Sequence, residues 1–137
     1  MFFIDTNIFV YAHDETDPRK ARKARELLVD LINSKNGVIS TQVIQEFCNV
    51  TLRKSLTPLK PGDVRKIVRE LLAPLLAHQP DLAFYTRTLE TYERYSLSFY
   101  DAAIVQAAVD LSCTVLYSED LQANARYGKV TVINPFA

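Results

Sequence analysis

A single α/β domain, with a mostly parallel central sheet flanked by helices on both faces, is what this sequence predicts, and three observations predict it. Short apolar runs alternate with longer stretches of helical periodicity. The apolar runs are continuous instead of apolar at every second residue, the pattern of strands buried on both faces. The length, 137 residues, falls in the usual range of one domain with one core, so residues 1–137 are expected to form a single unit.

The elements follow in order. Phe2-Phe3-Ile4 reads as a short buried strand, ending in Asp5-Thr6-Asn7, residues that cap a helix, with Ile8 to Ala12 as its first turns. Asp17 then serves as an N-cap and Pro18 as the first residue of a helix whose stripe is Ala21, Ala24, Leu28 and Leu31, running to about Asn33. Gly37-Val38-Ile39-Ser40 is a second buried strand, followed directly by an amphipathic helix from Thr41 to Lys54. Thr57 to Gly62 reads as loop, and Asp63 to Leu76 as a helix weakened at its end by Pro74. A short strand is expected near Ala77 to Pro80, then a helix from Asp81 to about Tyr95. Ser98 caps a very apolar helix reaching Leu111; Thr114 to Ser118 is a strand; Asp120 opens a short helical turn; and Val130 to Ile133 is a last strand, stopped by Asn134-Pro135.

Composition narrows the function classes. Hydrophobic residues are 48% and charged residues 23%, with 3 Gly and 6 Pro, which fits a globular chain and neither a disordered nor a fibrous one. The balance of 16 basic and 16 acidic residues argues against a protein that holds nucleic acid by global charge. Residues 1–70 nevertheless carry 12 basic and 9 acidic groups, so a local basic surface remains open, above all at Arg19, Lys20, Arg22, Lys23 and Arg25 or at Lys60, Arg65, Lys66 and Arg69. Cys48 and Cys113 lie in apolar helical patterns and read as reduced core thiols of a cytoplasmic protein. The N-terminus lacks the features of a signal peptide, and no apolar run approaches the ~20 residues that span a bilayer, so no membrane association is expected.

Four carboxylates stand out, because Asp5, Glu46, Asp101 and Asp120 each sit in or at the end of an apolar stretch with no cation offset against them locally. Taken singly, each has an ordinary explanation. Asp5 and Asp120 could be N-caps; Glu46 could be a partly exposed residue bordering the Val43 and Val50 stripe; Asp101 could complete a capping box with Ser98. Asp101 fits that explanation least well, since Ile104, Val105 and Ala108 place it on the core side of its helix while Gln106 and Asp110 point the other way. Together the four fall where strands end and helices begin, the place where open parallel sheets form a crevice. Two like charges ~4 Å apart repel by about 4 kcal/mol at an effective dielectric of 20. Such a cluster therefore calls for cations or raised pKa values. An all-oxygen donor set suits Mg²⁺ or Mn²⁺.

Asp5-Thr6-Asn7 after the first strand, Glu46 on a later helix, Phe99-Tyr100-Asp101-Ala102 opening an apolar helix, and Ser118-Glu119-Asp120-Leu121 after a strand together resemble a PIN domain, particularly the VapC-like ribonuclease toxins. The resemblance covers essentially the whole chain, including the closing Ile133-Asn134-Pro135-Phe136, and its specificity lies in the order and spacing of short motifs. It implies that Asp5, Glu46, Asp101 and Asp120 form a catalytic acidic site holding Mg²⁺ or Mn²⁺, with Asn7 and Ser118 as supporting polar groups. It further implies an endoribonuclease acting on RNA, a cognate antitoxin protein as partner, and a homodimer. Many relatives carry another Asp three residues after the fourth acid; Ala123 stands there, which favours one metal over two. His13 and His78 read as structural or surface residues.

Two other classes are weighed against this. A noncatalytic PIN-like module binding RNA or protein would share the fold and lack metal affinity. A phosphoryl-transfer protein fits less well: a dehalogenase-type phosphatase wants a second Asp where Asn7 stands, and a receiver domain wants a Lys that Ser118-Glu119-Asp120 does not offer.

Overall fold

Six strands, β1 (Phe2–Ile4), β2 (Gly37–Ser40), β3 (Leu76–His78), β4 (Val115–Tyr117), β5 (Arg126–Tyr127) and β6 (Val130–Ile133), form one sheet in the order β3-β2-β1-β4-β6-β5. The computed structural model describes residues 1–54 and 58–137. All pairings are parallel except β5 with β6. Phe3 lies opposite Val38 on one side and Leu116 on the other, so β1 is the centre of the sheet. The chain runs outward from β1 through β2 to β3 and then crosses to β4 on the opposite side of β1. That reversal places a crevice beyond the carboxyl ends of β1 and β4.

The helices are α1 (Thr6–Ala12), α2 (Pro18–Ser34), α3 (Thr41–Asn49), α4 (Pro61–Ile67), α5 (Leu82–Tyr95) and α6 (Phe99–Asp110). Helix α1 packs on α2 and α3, and α5 packs on α6. Every residue of β2 is buried, as strands covered on both faces must be. One continuous core results, with Phe3, Phe9, Phe47, Ile39, Leu116 and Val132 wholly inaccessible. Helix ends follow their local chemistry. Asp17 accepts from Lys20 N at 3.1 Å ahead of Pro18, and Asp81 accepts from Phe84 N at 2.8 Å ahead of α5. Helices α2 and α5 end on Lys35 and Ser96 in the left-handed conformation.

Several expectations need correction. Helix α4 begins at Pro61, a proline at its N-terminal turn, and its continuation changes to a π-helical turn at Val68–Leu72 and a 3-10 turn at Ala73–Leu75. Pro74 has no N–H to continue the α-helical ladder, which accounts for the change of winding. Of the loop expected at 57–62, Thr57 lies outside the described residues, 58–60 are irregular, and the last two belong to α4. Asp120 opens no helical turn: residues 119–121 form a bend because the Ser118 hydroxyl accepts the N–H groups of Asp120 (3.2 Å) and Leu121 (3.4 Å). The short strand β5 is absent from the sequence pattern, although Tyr127 and Val130 pair across a two-residue loop whose Gly128 takes φ +62°. Lastly, Cys113 sits in the connection after α6 and not within a helix.

Gly37 shows how closely α2 returns onto the sheet. A Cβ there would stand 2.9 Å from Ile4 Cδ1 and 3.2 Å from Leu31 Cβ. Gly37→Ala is therefore expected to destabilise the fold by about 1–3 kcal/mol through overpacking. Urea denaturation checks this, and an unchanged midpoint would mean that the helix can shift freely.

Candidate active site

Asp5 is the residue the fold places most tightly. Its N–H continues the β1–β4 pairing by donating to Tyr117 O at 3.0 Å, after which its backbone turns to cap α1. One carboxylate oxygen accepts from Thr6 N at 2.7 Å, which is the capping role; the other accepts from Ser118 Oγ at 2.7 Å, which is not. The residue is 6% exposed. Burial raises its pKa from 3.8 to about 7, the charges of Glu46 and Asp120 add to the rise, and the two hydrogen bonds only partly offset it.

Asn7 and Ser118 tie the far side of the crevice to this acid. Asn7 Nδ2 donates to Asp120 Oδ2 at 3.0 Å, and its Oδ1 accepts from Glu119 N at 3.4 Å. Ser118, fully buried, donates to Asp5 while accepting from the bend that carries Asp120. Asp120 itself is exposed. Glu119 points away, gripped by Lys20 Nζ at 2.8 Å and Tyr11 OH at 2.8 Å. This anchors the loop next to Asp120 without placing a cation on it.

Glu46 is half-buried on α3, and burial raises its pKa, with Asp101 and Asp120 adding to the rise. Gln42 Nε2 donates to Glu46 Oε1 at 3.0 Å and to Tyr100 O at 3.1 Å, so one amide links the acid to the first turn of α6, beside Asp101. Sequence alone leaves Gln42 on the polar side of the helix; its i, i+4 spacing from Glu46 was the available signal. Thr6 Oγ1 lies near enough to lower the Glu46 pKa, yet it makes no hydrogen bond of regular geometry, so it is a neighbour and not a bonded partner. Gln42→Ala is expected to raise the Glu46 pKa further by removing a hydrogen bond to the charged form. Carboxyl ¹³C titration by NMR checks this, and an unmoved midpoint would show the bond to be incidental.

Asp101 is half-buried at the start of α6. Ser98 Oγ accepts from its N–H at 3.2 Å, and among the described residues its carboxylate accepts no hydrogen bond, so the capping box is only half made. The expectation that Gln106 points to an opposite, polar side fails: Gln106 is buried, accepting from Thr91 Oγ1 at 2.5 Å and donating to Asp110 at 2.8 Å, because α5 covers that face. Asp110 completes the group with Arg87 at 2.7 Å and buried His78 at 3.3 Å, a structural cluster. Burial alone would raise the Asp110 pKa; the hydrogen bonds from Arg87, Gln106 and His78 outweigh it and lower it.

The acids are thus linked electrostatically through Glu46 and Asp120: Asp5 feels the charges of both, and Glu46 feels those of Asp101 and Asp120. Among the described residues none of the four is ion-paired. Also among those residues, no three His, Cys, Asp or Glu side chains are drawn close enough to cage an ion unaided. Mg²⁺ does not require such a cage, since it keeps several waters and is commonly held by one or two carboxylates together with substrate phosphate. In kind, the donors fit that ion. Several of the basic residues have structural tasks, with Arg19 on Phe136 O, Arg25 on Ala12 O and Lys20 on Glu119. Arg65, Lys66 and Arg69 remain exposed. His13 bonds Phe9 O and packs edge-on against Phe47. Cys48 and Cys113 are free thiols whose pKa values burial raises, that of Cys113 to about 11.

Comparison with known proteins agrees with this fold. The family model for the PIN domain matches residues 2–129. No curated protein sequence matches the chain. Among solved structures, FitAcB from Neisseria gonorrhoeae superposes with a TM-score of 0.67 at 17% identity over 99% of each chain. Mycobacterium tuberculosis VapC20, described as a sarcin-ricin loop cleaving toxin, gives 0.65 at 18% identity over 88% of this chain and 90% of its own. VapBC2 from Rickettsia felis, bound to a DNA fragment from its promoter, gives 0.60 at 18% identity over 96% of each chain. At these identities the likeness is one of fold.

Proposed function

The chain belongs to the PIN domain family, and from that premise and the acidic crevice we propose that it is a metal-dependent endoribonuclease, the toxin of a type II toxin–antitoxin pair. The single observation that carries this reading is Asp5: a buried carboxyl, bonded to Ser118 across the crevice, on which the charges of Glu46 and Asp120 act and with which no cation is paired among the described residues. Ionising such an arrangement is costly, and an external positive charge offsets that cost.

In this reading Asp5, Glu46, Asp101 and Asp120 hold Mg²⁺ or Mn²⁺, and the alanine at 123 favours a single ion. When bound, that ion supplies an activated water and neutralises charge developing on the scissile phosphate. The chain's own residues do the positioning. Ser118 and Thr6 N fix the Asp5 carboxylate, Asn7 holds the Asp120 carboxylate, and Gln42 orients Glu46 toward the α6 turn. No side chain is needed as a covalent nucleophile.

An antitoxin is the proposed partner by the family resemblance, which VapC20, described as a toxin, supports, together with the FitAB and VapBC2 structures bound to DNA fragments. A homodimer is supported by a stripe on α5, where Leu82, Tyr85, Leu89 and Tyr92 are exposed at helical spacing. Among the described residues no helix is long and apolar enough to cross a membrane, and a cytoplasmic site of action is proposed. Incubating the purified chain with structured RNAs tests the reading: internal cleavage is expected in Mg²⁺ or Mn²⁺ and none in EDTA. The absence of a ready-made three-ligand cage among the described residues favours one alternative, a noncatalytic PIN-like RNA- or protein-binding module. Such a module would bind little Mn²⁺.

A further inference from the structure

We propose that a groove running from Glu46 to Ser40 is a nucleobase subsite, taking an unpaired base of single-stranded RNA next to the cleavage centre. The proposal rests on the nuclease reading and adds to it the part of the substrate that this face receives. Two adjoining hollows form the groove. The outer one, about 410 Å³, begins at Glu46; the inner one, about 70 Å³, reaches Ser40; and they share Gln42, Gln45 and Tyr100.

Three features select a base over a phosphate. Among the described residues no Lys or Arg lines either hollow, and the outer one carries the acid Glu46, so an anion gains little there. The walls are aromatic, with Tyr100 69% exposed and Phe99 set edge-on against it at 5.6 Å. Exposed aromatic faces beside a nucleic-acid path are where bases stack. The inner hollow is lined by Ser40, which is 4% exposed and whose hydroxyl has no partner among the described residues. As the residue before α3, Ser40 could have capped the helix and does not. A buried hydroxyl without a bond is unfavourable until something supplies one, and the polar edge of a base does so. The inner hollow is too small for a whole nucleotide, so the base lies on Tyr100 with only its edge directed inward. The Gln45 amide offers a donor and an acceptor along its length, and Gln42, whose two N–H groups are held by Glu46 and Tyr100 O, offers its carbonyl oxygen.

Fluorescence anisotropy in EDTA, with a labelled random single-stranded oligoribonucleotide and its abasic counterpart, tests this. The wild type is expected to bind the base-bearing strand more tightly. Tyr100→Leu should weaken that binding by roughly tenfold, with the abasic strand and Mn²⁺ affinity unchanged; Ser40→Ala should alter which base is preferred. Equal binding of the two strands by the wild type, or full retention by Tyr100→Leu, overturns the subsite. If RNA is still cleaved in Mg²⁺ when that happens, the nuclease reading survives. Base-dependent binding without any cleavage has the opposite meaning: the groove stands and the nuclease reading falls.

Discussion

Asp101→Asn is expected to lower Mg²⁺-dependent RNA cleavage by roughly 100-fold or more, the scale of losing several kcal/mol of transition-state stabilisation. The fold should scarcely notice. Asp101 is only half-buried, its carboxylate accepts no hydrogen bond among the described residues, and Ser98 caps its backbone N–H, which the substitution leaves in place. What stability it contributes comes from a negative charge at a helix start, about 0.3–1 kcal/mol. Cleavage rates measured beside thermal melts separate the two effects. Full activity in a well-folded variant would remove Asp101 from the site and return it to a capping role.

The second large effect is on pH dependence. Asp5 ionises near pH 7 in the folded chain, against 3.8 for an unperturbed side chain. A raised folded pKa means that the protonated form is the one the fold favours. The associated stability is present below pH 3.8 and is lost as pH climbs through 7, a swing of about 4 kcal/mol by linkage. Glu46, also raised, acts in the same sense. Without metal, the wild type should therefore weaken from mildly acidic to neutral pH, whereas Asp5→Asn, which keeps the shape and cannot ionise, should show a much flatter profile. A cation that binds only the folded, ionised form should restore stability at neutral pH. Denaturation midpoints across that interval, with EDTA and then Mn²⁺, check both expectations; identical profiles for the wild type and the Asp5→Asn variant would contradict them.

Much of this arrangement was legible in the residues because parallel sheets announce themselves through unbroken apolar runs. Phe2–Ile4, Gly37–Ser40 and Val130–Ile133 lie where the pattern puts them, and Asp17, Asp81 and Ser98 cap the helices they precede. The four acids were conspicuous for the same reason, as charges interrupting or closing apolar stretches. What escaped was set by partners distant in sequence. Ser118 turns the chain at Asp120 only because Asp5 occupies its proton, 113 residues away. Gln106 is buried because α5 returns across α6, and Gln42 matters because Tyr100 O lies above it. A two-residue strand such as β5 offers no period to detect.

The central claim is that the acids of this crevice hold one divalent cation. Isothermal titration of Mn²⁺ just below the pKa of Asp5, in two buffers of different ionisation enthalpy, tests it most directly, because it counts both the ions bound and the protons released. Saturable binding of one Mn²⁺ with net proton release, both lost in Asp5→Asn and the binding weakened in Asp101→Asn, is the predicted result. Absence of binding by the wild type, or binding that both variants retain unchanged, would contradict the claim and leave the chain as a PIN-fold recognition module.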